Sequence, residues 1–118
     1  MKKDLNKLSF QELKKEIDEL DKAKQKVSVK KVGVWEVGKK YVIRTVTMID
    51  VGKLVEVTDK ELVLEGACWV ADTGRWSAFL NSGSYDEAEP FPKGRVIVGR
   101  GAVIDSVEWS HPLIDKVK

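Results

Sequence analysis

The sequence predicts a mainly β (α+β) domain, in which an N-terminal helix precedes a small, strongly bent antiparallel barrel of five or six strands. Three observations predict this fold class. The chain has 118 residues, which is enough for one modest hydrophobic core. Its beginning places apolar residues three or four positions apart, which is the period of a helix. The rest is rich in Val, Ile and Thr and is divided by glycine-containing turns, as is typical of short strands.

The N-terminal segment, residues 1–26, is predicted to form an amphipathic helix over residues 9–25. Ser9 is placed to cap its first turn, and Glu12 completes a capping box three residues later. A narrow apolar stripe runs along it, formed by Phe10, Leu13, Ile17 and Leu20. This stripe would pack either on the body of the same chain or on a second copy.

The β domain is predicted over residues 27–118, with strands at residues 32–37, 41–49, 53–58, 61–70, 95–104 and 106–109. Hairpin-sized turns at residues 38–40, 50–52 and 58–60 make neighbouring strands antiparallel. We expect the sheet to close into a barrel, because closure removes exposed strand edges.

An insertion over residues 72–94 interrupts the order of strands. Asp72 or Thr73 is expected to cap a short helix containing Trp76, and Gly83 is expected to end it. An acidic, proline-punctuated loop over residues 86–92 then returns the chain to the sheet. Connections of this length in a compact domain more often serve a function than not.

Composition excludes several classes of function. The chain has one cysteine, Cys68, and one histidine, His111, so it lacks a disulfide framework and the ligands for a four-coordinate zinc site. We read Cys68 as a small core residue and His111 as a loop residue. No nucleophile and base are paired in the sequence, so we expect a non-enzymatic protein without metal or cofactor. No apolar run reaches the length of a membrane span, which predicts a cytoplasmic protein with no membrane partner.

The charge is unevenly distributed along the chain. Residues 1–31 hold ten lysines and six acidic residues, whereas residues 32–118 hold eleven basic and thirteen acidic residues. All four arginines lie in the second segment. Because a guanidinium group binds phosphate bidentately and stacks on aromatic rings, we expect any binding site to lie near these arginines.

Seven side chains are predicted to bind a ligand: Arg44, Trp69, Asp72, Thr73, Arg75, Trp76 and Arg100. The densest group surrounds Arg75 and Trp76, where a helix start, a guanidinium group and an indole ring would suit a nucleotide. The alternative places Trp69 and Trp76 in the core or at a subunit interface and makes Asp72 a simple cap.

Two further arginines each have two interpretations. Arg44 lies on an otherwise apolar strand face, so it either contacts a ligand or has a structural role, as an internal salt bridge with Glu56 or Glu65 or as an edge position at the strand end. Arg100 stands between two glycines, which weaken a strand unless a bend or a close approach requires them. It therefore either lines a ligand pocket or lies on the surface at a sharp bend.

Two segments of the sequence resemble the Sm-like family of small RNA-binding barrels. The first, residues 38–64, contains GKKYVIRTVTM, GKLVEVTD and ELVLE in the family's order of strand, glycine turn, strand and acidic turn. The second, GRVIVGRGAVIDSV, spans residues 94–107. The resemblance implies an SH3/Sm-like barrel whose Arg100-Gly101 pair lines a nucleotide pocket and whose copies pair strands to form a ring. The asparagine with which the family reads a base is absent after Asp59, so RNA is possible but not the favoured ligand.

The order of the segments RTVTM, GKL, ELVLE, CWVADTGR and GRGAVID is also similar to that in a group of short uncharacterised phage and prophage proteins. This resemblance implies a phage-type context in the host cytoplasm, where compact binding proteins sequester nucleotide signals of bacterial defence systems. The sequence thus supports three hypotheses. The first is a non-enzymatic homo-oligomer that holds a nucleotide-like anionic small molecule. The second is an Sm-like RNA-binding ring, and the third is an adaptor or inhibitor that docks on a host protein.

Overall fold

The computed structural model of the protein describes residues 31–118. The predicted helix over residues 9–25 and its apolar stripe lie outside the described residues, as does the predicted boundary at residue 26. Over residues 31–118 the fold is mainly β, as predicted, and all strand pairs are antiparallel. No helix in this part of the chain is long and apolar enough to cross a membrane.

Eight strands and one α-helix follow one another along the described chain. The strands are β1 (Lys31–Val32), β2 (Trp35–Glu36), β3 (Lys40–Thr45), β4 (Ile49–Val57), β5 (Glu61–Asp72), β6 (Glu87–Pro90), β7 (Arg95–Gly99) and β8 (Val103–Glu108). The helix α1 (Trp76–Ser82) lies between β5 and β6, and a 3-10 turn (Arg100–Ala102) joins β7 to β8. Strands β1 and β2 form a separate two-stranded hairpin.

The main sheet has six strands, of which five follow the order β6-β5-β4-β3-β8, and β7 also pairs with β5. The long strand β5 has two partners beside β4, because residues 61–65 pair with β7 whereas residues 68–72 pair with β6. Gly66, with a φ of 60°, lies between the part of β5 that pairs with β7 and the part that pairs with β6. The expected closed barrel is not observed: β7 and β8 do not pair with each other, so the sheet stays open.

The predicted turn over residues 50–52 is wrong, because these residues lie inside β4. The chain instead reverses over residues 46–48, where the Thr45 amide donates to the Met48 carbonyl at 2.8 Å. The Met48 amide donates in turn to the Thr45 hydroxyl at 3.1 Å. Gly52 is needed for close packing: a Cβ atom there would lie 3.1 Å from the Cβ of Leu64 and 3.2 Å from that of Ala67.

Two other strand predictions are corrected by turns, while one predicted turn is confirmed. Residues 32–37 form a miniature hairpin, because Gly33 adopts a φ of 62° that reverses the chain. The predicted strand over residues 95–104 is broken by the 3-10 turn, which sends β8 back along β3. The turn at residues 58–60 is confirmed, and the Thr58 amide donates there to the Glu61 carbonyl at 2.9 Å. The turn predicted at residues 38–40 lies at residues 37–38, since Lys40 begins β3, and it does not join two paired strands, because β2 pairs with β1 in a separate sheet.

The insertion contains the predicted helix, and Gly83 ends it with a φ of 73°. The predicted cap is wrong, because Arg75 occupies the N-cap position and no side chain caps the helix. Asp72 instead accepts the Gly74 amide at 2.8 Å, and the Thr73 hydroxyl donates to the Gly74 carbonyl at 2.9 Å. The predicted acidic loop is partly strand, since β6 pairs with the second half of β5.

The buried residues form two clusters. One contains Val42, Val51, Cys68, Val70, Phe79, Ala88, Trp109 and Ile114. The other contains Tyr41, Ile43, Leu54, Leu62, Leu64, Ala67 and Val98. The first cluster includes Phe79 from α1 as well as Trp109 and Ile114 from the segment after β8, so these two elements cover it.

Cys68 is buried, which confirms it as a core residue, and burial raises the pKa of its thiol to about 11. Cys68 does not pack with Leu62 and Leu64 of the same strand, because those two residues belong to the other cluster. The change follows the bend at Gly66, where the regular alternation of β5 is interrupted.

Candidate functional site

The structure brings together two of the predicted site residues, Arg44 of β3 and Trp76 of α1. The guanidinium carbon of Arg44 lies 4.9 Å from the centroid of the Trp76 ring, within the range of a cation–π interaction. Trp76 is half-buried, and its ring stacks on that of Phe79 with 5.5 Å between centroids. A buried aromatic core thus supports an arginine whose side chain is 40% exposed.

Asp105 of β8 fixes the position of Arg44. The two residues are direct partners in the pairing of β3 with β8. The Arg44 Nε donates to Asp105 Oδ1 at 2.6 Å, and Nη2 donates to Oδ2. This bidentate pair raises the pKa of Arg44 and lowers that of Asp105 through the hydrogen bonds between them.

Arg44 forms an internal salt bridge, as one of its two interpretations predicted, but the predicted partners Glu56 and Glu65 are wrong, because the partner is Asp105. Both glutamates instead pair with Arg95 of β7. Glu56 Oε2 lies 3.2 Å from Arg95 Nη1, and Glu65 Oε1 lies 3.6 Å from Arg95 Nε. The register of the sheet accounts for the difference, since Arg95 is the direct partner of Glu65 whereas Arg44 faces β8. Arg44 keeps one free edge, because no acceptor in the described part of the chain meets its Nη1 group.

The loop over residues 72–74 leads to Arg75, which directly precedes Trp76 in the sequence. Gly74 adopts a φ of 65°, which favours glycine. A Cβ atom added at this position would lie only 3.0 Å from Oδ2 of Asp86. Arg75 itself is exposed and forms no ion pair within residues 31–118. Asp72 and Thr73 thus shape the loop, and Arg75 presents a positive charge that no carboxylate of residues 31–118 pairs with.

Trp69 and Arg100 lie apart from this group. Trp69 is the direct partner of Asp50 in the sheet, and it alternates with Cys68 and Val70, so it faces away from the cluster that α1 covers. Arg100 donates from Nη1 to the Thr58 carbonyl at 2.6 Å, at the far end of β4. Eight residues of extended chain separate Asp50 from Thr58, which is roughly 25 Å.

Sequence reasoning missed a buried carboxylate, that of Asp50. The side chain is only 5% exposed, and its Oδ1 has no hydrogen-bond partner in the described structure. Burial raises the pKa of Asp50 to about 6. The sequence signal for a buried position was that Asp50 lies between two strand-forming residues, Ile49 and Val51. The predicted turn over residues 50–52 concealed this signal.

Two cavities also fell outside the sequence predictions. The larger, of about 530 Å³, has a mostly apolar lining that includes Phe91, Pro92 and Leu113. A second, of about 400 Å³, is lined by three lysines, Lys39, Lys40 and Lys53. Both lie within the size range of small-molecule sites.

His111 takes part in packing. Its Nε2 lies 2.9 Å from the Leu80 carbonyl, and its ring meets that of Trp109 edge-on with 4.8 Å between centroids. Within residues 31–118, no three His, Cys, Asp or Glu side chains are grouped so as to hold a metal ion.

Comparison of the chain with protein-family models, with curated proteins and with solved structures found no match. The resemblances to Sm-like barrels and to phage proteins therefore stay predictions from the sequence. The function is inferred below from the geometry of residues 31–118.

Proposed function

We propose that the protein is a non-enzymatic binding protein that holds a nucleotide-like anionic small molecule on the surface formed by Arg44, Arg75 and Trp76, here called the arginine–tryptophan surface. One observation carries the proposal: the Arg44 guanidinium is fixed 4.9 Å from the Trp76 ring, and the exposed Arg75 directly precedes that tryptophan. Guanidinium groups and indole rings together recognise phosphate and planar bases.

Each residue has a distinct role in this proposal. Asp105 neutralises Arg44 and holds its planar group in place, so the exposed face of that group stacks on a base. Arg75 has no carboxylate partner in the described chain and pairs with the phosphate. The two guanidinium groups and one carboxylate leave a surplus of one positive charge, which favours an anion.

Binding without catalysis is the simplest use of this surface. The groups at it are two arginines, a tryptophan and a carboxylate already paired with Arg44, and His111 is engaged with Leu80 and Trp109. General acid–base or nucleophilic catalysis requires a titratable group within reach of a reacting atom. In the phage-type context that the sequence resembles, such a protein sequesters a nucleotide signal of the host cell's defence.

Titration calorimetry of the full chain against linear and cyclic nucleotides tests this function. The Arg75→Gln variant is expected to bind at least about tenfold more weakly, since one charge-assisted hydrogen bond contributes about 1.5–3 kcal/mol. Arg95→Gln is the matched control, because Arg95 is also exposed but lies on β7 and pairs with Glu56. The proposal fails if no nucleotide in the panel releases or absorbs heat, or if both variants lose affinity equally.

An RNA-binding ring predicts a different outcome of the same titration. Short single-stranded RNA would bind with a steep salt dependence, whereas single nucleotides would not bind. That result would replace the small-molecule proposal with the Sm-like alternative. The hydrogen bond from Arg100 to Thr58 engages the arginine that this alternative needs, which is why we rank it second.

We further propose that the sheet is an open relative of the SH3/Sm-like barrel and that copies associate through β7 and β8. Two features support this proposal: β8 returns to pair with β3, and each of β7 and β8 has one unpaired edge in the described sheet. These edges carry Ile97, 69% exposed, and Ile104, 64% exposed. Native mass spectrometry should show an oligomer for the wild type and monomers for Ile97→Lys and Ile104→Lys. Retention of the wild-type mass by both variants would contradict this interface.

A further inference from the structure

A cavity of about 400 Å³ lies beside the start of β3, away from the arginine–tryptophan surface. The turn before β3, the middle of β4 and the chain immediately after β8 form its walls. The residues that matter for its chemistry are Lys39, Lys40, Lys53, Glu108, Trp109 and Ser110. We call this cavity the lysine pocket.

Two of its lysines face each other directly. Lys40 of β3 and Lys53 of β4 are paired in the register of the sheet, so their Cβ atoms are about 5 Å apart on the same face. Like charges in this position are destabilising. Within the described residues, neither ammonium group forms an ion pair, and the Lys40 ammonium donates to the His111 carbonyl.

The carboxylates nearby are already engaged by other cations. Glu108 lies 2.8 Å from the Lys39 ammonium, and Glu36 lies 2.7 Å from the same group. These hydrogen bonds, with that of Glu108 the stronger, raise the pKa of Lys39. Glu65 of β5, which is the direct partner of Lys53 in the sheet, has its Oε1 atom 3.6 Å from the Arg95 Nε atom. Lys39 and Arg95 thus each share two carboxylates, and within the described residues no carboxylate forms an ion pair with Lys40 or Lys53.

The remaining walls of the lysine pocket suit a small polar ligand. Ser110 is exposed and offers a hydroxyl donor. Trp109 is buried and held by a hydrogen bond from its Nε1 to the Pro112 carbonyl at 3.0 Å, so it forms a rigid wall. Lys40 is held in turn by the bond to His111, which orders one of the two ammonium groups before a ligand arrives.

We propose that the lysine pocket binds a small phosphorylated molecule, with the ammonium groups of Lys40 and Lys53 on either side of a phosphate group and the Ser110 hydroxyl as a further donor. A multiply charged oxyanion between the two lysines converts their repulsion into two favourable ion pairs. Lys40 and Arg44 are four residues apart on β3, roughly 13 Å, so this site is separate from the arginine–tryptophan surface. The inference is therefore independent of the function proposed above.

Pyrophosphate is the probe for this site. Calorimetric titration of the full chain at constant ionic strength is expected to show saturable binding, which Lys53→Gln weakens at least about tenfold. Lys60→Gln is the matched control, because Lys60 is exposed in the turn between β4 and β5 and is expected to leave the affinity unchanged. Equal affinity of the wild type and Lys53→Gln would overturn the proposal.

A second measurement separates loss of binding from loss of folding. Lys53→Gln removes the charge that faces Lys40 without placing a like charge opposite Glu65, so it is expected to stay folded in phosphate-free buffer while losing the pyrophosphate-induced rise in melting temperature. A similar rise caused by sodium chloride at equal ionic strength would reduce the effect to screening and contradict the site. Tighter binding of a short single-stranded RNA than of pyrophosphate would contradict the small-molecule assignment.

Discussion

Asp50 offers the sharpest test of how this sheet is built, because the charge of a buried carboxylate should cost folding free energy. Its side chain is 5% exposed, and its Oδ1 has no hydrogen-bond partner in the described structure. The perturbation is Asp50→Asn, which keeps the shape of the side chain and removes the charge. Any packing cost of the amide is the same at all pH values, so the pH dependence isolates the effect of the charge.

Burial raises the pKa of Asp50 from 3.8 to about 6. The folded protein therefore holds a proton that the unfolded chain releases between about pH 4 and pH 6, and the stability contributed by this group falls as the pH rises through that window. A shift of about two units corresponds to an upper bound of about 3 kcal/mol. Asp50→Asn should thus gain up to about 3 kcal/mol relative to the wild type between pH 4 and pH 7.5.

Urea denaturation at pH 4.0, 5.0, 6.0 and 7.5, followed by the fluorescence of the four tryptophans, measures this gain. The relevant quantity is the difference in the free energy of unfolding between variant and wild type at each pH. A difference that stays constant from pH 4.0 to pH 7.5 would refute the reasoning, because the carboxylate would then titrate equally in the folded and unfolded chains.

Three further substitutions test other parts of the structure. Asp105→Asn should destabilise the protein more at pH 7 than at pH 3, because Arg44 lowers the pKa of Asp105 and the contribution of the pair is lost as the pH falls; denaturation at the two pH values checks this. Gly52→Ala should cost about 1–3 kcal/mol of unfolding free energy through contact with Leu64 and Ala67, whereas Gly99→Ala, with open space around it, should be nearly neutral. Phe79→Ala should cost about 3–5 kcal/mol, since this fully buried ring lies between two tryptophans; a loss below about 1 kcal/mol would show that α1 is not part of the core.

Sequence-based reasoning succeeded where the signal was local. The turn at residues 58–60 depends on Thr58, whose hydroxyl accepts the amides of Lys60 and Glu61. The end of α1 depends on Gly83, whose amide bonds to the Phe79 carbonyl four residues earlier. In both cases the residues that determine the structure lie within four positions of one another, so a short stretch of sequence contains the necessary information.

Sequence-based reasoning failed where contacts between residues far apart in the chain determine the structure. The segment Asp50-Val51-Gly52 looks like a turn, yet Gly52 serves the close approach of Leu64 and Ala67 on the next strand. The partner of Arg44 is 61 residues away in the chain, and only the register of β3 with β8 reveals it. The arginine–tryptophan surface was therefore predicted by residue type, whereas its geometry and the separation of Trp69 and Arg100 from it required the fold.

Strands β6 and β7 pair with different parts of the same edge of β5, and this arrangement limits how the domain can change during evolution. The insertion supplies β6, which pairs with the second half of β5, and Phe79, which is fully buried in one of the two clusters. Deleting it would leave the edge of residues 68–72 unpaired and open a void beside Cys68 and Val70. The insertion is thus integral to the domain, and we expect relatives of this chain to vary the loop residues around Arg75 while keeping the strand and the aromatic ring that anchor them.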